Sequence, residues 1–340
     1  MERAIIVRNK SSLEEISSRF SVKSQAEFYI EKNLGNFLSK TVDEISSSII
    51  NSKSKRGSFS FKDMVDEDSI LQESTDNLQL ELNQKIKTKI ISRDLLPNFI
   101  FSPNDMVIAI GRDGLVANVA KYAHGIPIMG VNPEPERYDG ILLPFTIYDI
   151  SRSLDKILNG NYTTQKVTMA EASLNDGQKL LAFNDLFIGP RTHTSARYSI
   201  TYKLKTENQS SSGIIVSTGA GSTGWMSSLF NMAERIEKVF CENKFEFRSK
   251  EERENLYRMP WDSNELRFVV REPFESKISQ INICAGKIID NDPLIIESNM
   301  SDYGIIFSDG VESDFLHFNS GSIASIGIAK EKALLINSVS

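Results

Sequence analysis

The chain is short of the residues that mark several common classes. It has two cysteines in 340 residues, Cys241 and Cys284, far apart in sequence. Such spacing indicates neither a disulfide framework nor a zinc site. The three histidines, His124, His193 and His317, are equally scattered and read as structural residues. No resident metal-ligand set is expected. No run reaches the roughly 18 apolar residues of a spanning helix, and no amphipathic stretch carries a basic face of the kind that binds membranes. Basic charge is not in excess either. Lys and Arg number 39 against 45 Asp and Glu, a net charge of −6. That balance argues against bulk binding to nucleic acid or an anionic membrane, while leaving room for a locally basic nucleotide pocket. Internal repeats and low-complexity tracts are missing. The opening MERAIIVRNKSSLEE has only a short apolar run and soon turns acidic, so a cytoplasmic protein without a leader is the expectation.

What is present is an ordinary globular composition, 40% hydrophobic and 25% charged. The length fits about two domains. An N-terminal α/β domain over 1–160 and a β-rich domain over 161–330 are expected, with the final strands able to return to the first domain.

The first domain is organised around residues 105–123, DMVIAIGRDGLVANVAKYA. Residues 106–110 form an apolar run expected of a strand buried on both faces. The run breaks at Gly111-Arg112-Asp113-Gly114, after which Leu115, Val116, Val119 and Ala120 recur at helical spacing. The pattern is strand, glycine turn, helix. Such a turn lies at the carboxyl end of a strand, where open α/β sheets bind ligands. Glycines let a backbone approach an anion closely, and the helix N-terminus offers unpaired N–H groups. Asp113 places a carboxylate inside this turn. Taken alone, the four residues also fit an ordinary turn with Asp113 as N-cap.

Around this centre, residues 4–7 read as a strand, and Ser11 to Glu14 as a capping box opening a short helix. Residues 25–33, 41–50 and 66–91 read as helical. The basic stretch SKSKRG at 52–57 is a solvated loop or a phosphate guide. Residues 126–131 read as a second parallel strand ending at Asn132, which completes a βαβ unit. A helix over 146–158 closes at Asn159-Gly160. From residue 165 the texture turns to short alternating runs separated by turns such as Asn175-Asp176-Gly177, the mark of antiparallel sheet. One long helix is expected over 222–239. Residues 241–264 look charged and irregular, as a flap or a partner contact would.

A second constellation, Ser217 to Trp225 (STGAGSTGW), leaves a strand and opens the long helix. Its glycines and hydroxyls at a helix N-terminus make a polar binding surface, or a flexible N-cap from Ser222 or Thr223. Asn184-Asp185 interrupts the apolar run KLLAFNDLFIG. Adjacent strand residues point to opposite faces. One of the pair therefore needs a ligand or a turn to satisfy it, unless the site is a bulge or an exposed edge.

The order GRDG, GVN, ND, STGAGSTGW and a late SDG resembles the NAD kinase family, whose pattern is GGDGT, a GxN strand end, an N-E pair and a T-x-T-G-S-T-A-Y-like turn. GVNPEPERYDGILLP, NDLFIGPRTHTSARYSITYK, SSGIIVSTGAGSTGW and VREPF resemble its mitochondrial-type branch. The likeness spans roughly residues 100–330 and is looser before them. It implies an NAD kinase-like two-domain α/β fold and phosphoryl transfer from ATP to the 2′-hydroxyl of the NAD adenosine ribose, with Mg²⁺ bridging the donor phosphates. By the same resemblance Asp113 orients or deprotonates that hydroxyl, while Gly111, Gly114 and nearby amides, with Arg112, hold the donor. Asn132 ends the GxN strand, and Asn184 and Asp185 hold the acceptor's adenosine half. Ala220, Gly221, Ser222, Thr223, Gly224 and Trp225 form the turn that contacts it. A homo-oligomer, dimer or higher, is implied as well. Arg112 and Leu115 stand where the family has Gly and Thr, Asp185 stands for Glu, and Ser211-Ser212-Gly213 replaces a Gly-Asp-Gly run. Arg112 there either strengthens donor binding or fills the donor site. Diacylglycerol, sphingoid and phosphofructo kinases share the glycine turn. A same-fold kinase for a lipid or sugar, or a non-catalytic nucleotide sensor, are therefore the alternatives.

Overall fold

The computed structural model describes residues 1–18, 25, 61–240 and 249–337. The helices expected over 25–33 and 41–50 lie outside the described residues, save for residue 25, and so do the basic stretch 52–57 and Cys241. The chain divides into two compact units, Met1–Gln165 with Leu334–Ser340, and Lys166–Ala333.

The first unit is built on a parallel sheet. Strand β1 (Arg3–Arg8) leads to helix α1 (Ser12–Ser17), which the Ser11–Glu14 capping box opens as expected. Helix α2 (Phe61–Asn83) follows, then β2 (Lys87–Ser92). Here the expected helix over 66–91 is corrected. Lys85 and Ile86 both donate their N–H to the Leu82 carbonyl, which ends the helix. The next residues, KTKIIS, pair with β1 at the sheet edge. Their β-branched side chains favour a strand, and their lysines suit an edge open to water. Strand β3 (Asp105–Ile110) is central and buried at every position. Helix α3 (Asp113–Ala120), β4 (Pro127–Asn132), β5 (Phe145–Thr146) and helix α4 (Ile147–Leu158) complete the run. The strands lie in the order β2-β1-β3-β4, all parallel. Ile6, Ile108, Ile110, Val131, Leu78 and Leu154 share one core between sheet and helices. Each such aliphatic side chain contributes about 1.5–3 kcal/mol by leaving water.

The second unit is antiparallel. Its strands are β6 (Thr164–Leu174), β7 (Lys179–Ala182), β8 (Asp185–Pro190), β9 (Ala196–Tyr202), β10 (Lys205–Ser211) and β11 (Ile214–Ser217). After helices α5 (Trp225–Phe240) and α6 (Lys250–Tyr257) come β12 (Glu265–Val270), β13 (Ala285–Ile289), β14 (Leu294–Ser298), β15 (Gly304–Ser308), β16 (Val311–His317) and β17 (Ile323–Ile336). One sheet runs β10-β9-β14-β17 with β6 and β7 attached, and the other runs β13-β12-β11-β8-β15-β16. Tyr198, Ile200 and Ile296 from the first sheet meet Ile188, Val216 and Phe268 from the second in a single core. The last residues of β17, Leu334 and Leu335, lie parallel to Pro127 and Ile128 of β4. The chain thus returns to the first unit.

Two expectations in this half are revised. The long helix begins at Trp225 rather than residue 222, because Gly221–Thr223 form a 3₁₀ turn first. The charged segment after residue 241 contains α6, opened by a Ser249–Glu252 capping box. Its acidic first turn, Glu251 and Glu252, complements the helix dipole. Among the described residues no helix is long and apolar enough to cross a membrane.

Candidate functional site

The glycine turn of the first unit is tied at both ends. Gly111 adopts φ +150°, which side-chain-bearing residues rarely do, and donates its N–H to the Val131 carbonyl at 3.1 Å. Arg112, not Asp113, is the N-cap of α3. Asp113 is the first helical residue, and its carboxylate instead reaches a neighbouring loop. There it accepts N–H groups from Leu142 at 2.9 Å and Ile141 at 3.2 Å. Burial pushes this carboxyl above the ordinary aspartate range and outweighs the two amides that pull it down. Asp139 nearby raises it further. A carboxylate that is positioned, and more basic than usual, can take a proton from a bound hydroxyl. Gly114 is exposed with open space about its Cα.

Sequence reasoning missed the loop that holds Asp113, although YDGILLP was in view. Asn132 builds it from below. Its Oδ1 accepts the Glu134 N–H at 3.0 Å, and its Nδ2 donates to the Tyr138 carbonyl at 2.9 Å. Asn132 is buried and spends its side chain on the loop. Gly140, at φ +60°, has room for no side chain, since a Cβ would lie 2.6 Å from Asn132 Nδ2. Gly130 is constrained by approach instead, because its Cβ would lie 2.0 Å from the Leu142 carbonyl oxygen. Arg112 is engaged too. Its Nη2 donates to Glu67 Oε1 and to the Tyr138 hydroxyl, each at 2.7 Å, and its guanidinium lies 4.5 Å from the Tyr138 ring centre. Leu115 is buried in the core.

In the second unit, β8 and β11 are antiparallel neighbours with Asp185 opposite Ser217. Asn184 sits in the turn just before β8, so the polar pair interrupts the apolar run at a turn. The backbone there is held by Asp309, the aspartate of the late SDG. Its carboxylate accepts the N–H groups of Phe183, Asn184 and Asp185 at 3.0, 2.6 and 3.3 Å. Asp185 Oδ1 is sealed from solvent with no hydrogen-bond partner among the described residues. Burial pushes the Asp185 carboxyl up to about 7, the Ser217 hydroxyl opposes the rise, and the Asp309 charge adds to it.

The turn from Ser217 to Trp225 divides into a buried frame and an open face. Thr218 donates its hydroxyl to the Phe183 carbonyl at 2.6 Å and accepts the Gly221 N–H at 3.2 Å. Ser222 donates to the Gly219 carbonyl at 2.7 Å and accepts the Met259 N–H at 3.2 Å. These hydroxyls hold the turn and are not free for a ligand. Gly219 and Gly221 are required by close approach, because a Cβ would fall 1.9 Å from the Pro260 carbonyl oxygen and 2.3 Å from that of Asn184. Thr223 and Gly224 are exposed, and Ala220, Trp225, Asn184 and Asp185 are half-buried. These six residues make the accessible surface.

Beside it lies a cavity of about 670 Å³ that includes Phe187, Trp225, Phe307, Arg191, Arg271 and His193. The Phe187 and Trp225 rings stack with centres 5.8 Å apart and planes 12° apart. Of the other histidines, His317 packs edge-on against Phe315.

No family model matches the chain. Part of it resembles curated NAD kinases. It is 32% identical to the NAD kinase of Thermoanaerobacter sp. (strain X514) over 134 residues, 37% of this chain and 46% of that protein. With the NAD kinase of Chlorobium phaeobacteroides (strain BS1) the identity is 28% over 129 residues, 36% of this chain and 43% of that protein. The chain therefore spans less than half the length of these relatives. In fold it is similar to yeast NADH kinase complexed with NADH, at TM-score 0.54 and 12% identity, covering 78% of this chain and 79% of that one. It is also similar to an NAD kinase from Archaeoglobus fulgidus in complex with ATP, at TM-score 0.52 and 13% identity, covering 99% and 94%. In sequence segment and in fold, the likeness is to the NAD kinase family.

Proposed function

We propose that the protein is a cytoplasmic, ATP-dependent NAD kinase that transfers a phosphoryl group from ATP to the 2′-hydroxyl of the NAD adenosine ribose, releasing ADP and NADP. The observation that carries this reading is Asp113, a carboxylate clamped by two backbone amides at a glycine turn and made more basic by burial. A ribose hydroxyl is a poor nucleophile near neutral pH, so a base within hydrogen-bond reach matters. The rest of phosphoryl transfer is positioning and charge stabilisation.

In this reading Asp113 accepts the hydroxyl proton, and the amides around Gly111 and Gly114 at the start of α3 receive donor phosphates. Arg112 steadies the turn through Glu67 and Tyr138, and Asn132 steadies the loop that clamps Asp113. Asn184, Asp185, Ala220, Thr223, Gly224 and Trp225 take the acceptor, on a frame shaped by Gly221 and Ser222. Among the described residues no group of three or more His, Cys, Asp or Glu is placed to hold a metal. As the resemblance implies, Mg²⁺ bound with the donor would neutralise charge developing on its phosphates. The chain acts as a homo-oligomer, as the resemblance implies.

The test is purified protein with ATP, Mg²⁺ and NAD, assayed for NADP. Formation of NADP that depends on Asp113 supports the reading. Phosphorylation of a lipid or sugar with none of NAD would replace it with a same-fold kinase, and nucleotide binding without turnover would replace it with a sensor.

A further inference from the structure

Asp113 is aimed by a loop, and that loop has a second anchor besides Asn132. We propose that Tyr138 is a positioning residue for Asp113: its hydroxyl, held by Arg112, fixes the loop whose backbone amides orient the carboxylate. This rests on the kinase reading above, in which Asp113 takes the hydroxyl proton.

The loop between β4 and β5 contains two hydrogen-bonded turns. The Tyr138 N–H donates to the Glu134 carbonyl at 3.1 Å in the first, and the Leu143 N–H donates to the Gly140 carbonyl at 3.0 Å in the second. The second turn carries the Ile141 and Leu142 amides that reach Asp113. Leu142 is buried, so packing holds its side of the clamp. Ile141 is 73% exposed, and no core fixes it. The place of its amide therefore depends on where the first turn is pinned, and Tyr138 is pinned twice. Its carbonyl accepts from Asn132 Nδ2 at 2.9 Å, at the end of β4. Its hydroxyl accepts from Arg112 Nη2 at 2.7 Å, at the start of α3. The loop thus meets the glycine turn at two adjacent residues, Arg112 and Asp113.

Arg112 is itself held in place. Nη2 also donates to Glu67 Oε1 on α2 at 2.7 Å, a charge-assisted bond. A rotating arginine gives up side-chain entropy when it makes such a contact, and Glu67 fixes it beforehand. The chain of contacts runs from α2 through Glu67, Arg112 and Tyr138 to the amides on Asp113. Burial raises the Asp113 carboxyl, the Leu142 and Ile141 amides lower it, and Asp139 raises it again. Loosening the loop weakens the amides and leaves the other two influences, so the carboxyl rises further. Its direction is lost as well, and a reacting group misplaced by about 1 Å costs on the order of 10²-fold in rate.

Steady-state NADP formation by the full chain, measured across pH, tests this. Tyr138→Phe removes the hydroxyl and keeps the ring beside Arg112. Its kcat should fall by about 10- to 100-fold, with KM for ATP and for NAD within about twofold of wild type. The acid limb of kcat/KM should move to higher pH by about half a unit to one unit, because Asp113 then ionises later. Arg112→Lys keeps the charge but not the fork that serves both partners, and should move the limb the same way. In an Asp113→Asn background, Tyr138→Phe should cost less than about twofold, since Tyr138 acts through that carboxylate. An acid limb unmoved in both variants overturns the proposal. So does a raised KM for ATP with unchanged kcat, which would put the Arg112–Tyr138 pair on the donor. Additive losses with Asp113→Asn overturn it as well and leave Tyr138 a structural residue. No NADP from the wild type, or full activity in Asp113→Asn alone, removes the kinase reading beneath and the proposal with it.

Discussion

Asp309 and Asp185 hold each other through the backbone in both directions. The Asp309 N–H donates to the Asp185 carbonyl at 2.9 Å, and the Asp185 N–H donates to Asp309 Oδ1 at 3.3 Å. Asp309 stands at φ +55°, a left-handed conformation that Asp and Asn tolerate better than other side chains. Three consecutive N–H groups on its carboxylate fix the turn that presents Asn184.

Asp309→Asn should therefore keep the backbone conformation but replace one acceptor oxygen with a donor facing other donors. We expect a loss of about 1.5–3 kcal/mol, the range for hydrogen bonds to a charged group. Dinucleotide affinity should fall with it. Thermal unfolding and calorimetry check the two effects, and an unchanged melting temperature would contradict the role given to this carboxylate.

The Asp185 carboxyl makes stability depend on pH. Folding raises it from 3.8 to about 7. The folded chain holds this proton more tightly than the unfolded one, so its contribution is complete below about pH 4 and is lost as pH rises to about 7. Asp113 is shifted in the same direction. Between pH 5 and 8 the wild type should lose stability relative to Asp185→Asn, by about 1 kcal/mol or more. Urea titrations of both proteins at the two pH values measure the difference, in which the other carboxylates cancel.

Asp113→Asn preserves shape and removes the base. Turnover should fall by about 10²–10⁴, with dinucleotide affinity little changed, which locates the loss in the transition state. Steady-state kinetics beside calorimetry separate the two quantities. Full activity in this variant would remove Asp113 from the chemistry.

Arg112→Gly tests the ion pair with Glu67. The change leaves a mostly buried carboxylate without its partner, at an expected cost of about 1–3 kcal/mol. Glu67→Gln in the same chain should recover part of the loss, because the uncompensated charge is gone. Melting temperatures of the two single variants and the double variant give the coupling. Additive losses would mean the pair contributes nothing beyond its separate contacts.

Local pattern was enough for much of this protein. The strand, glycine turn and helix around residue 111, the Ser11 capping box, the Asn159-Gly160 stop and the antiparallel texture after residue 165 all follow from neighbours in sequence, because periodicity and capping are local physics. The order of the motifs likewise pointed to the two polar turns. Position in the sheet decided where KTKIIS stops being helix, since only the exposed edge beside β1 makes a strand of it. Long-range contact decided which polar groups remain available. Ser222 and Asn132 each hydrogen-bond backbone groups of a distant or neighbouring loop, which no local pattern shows. Asp309 lies more than a hundred residues from the amides it holds, and Ile141 and Leu142 lie a loop away from Asp113. Hydrogen-bond partners of that kind are set by the fold that brings them together, because a buried polar group left without a partner costs free energy and most are therefore paired.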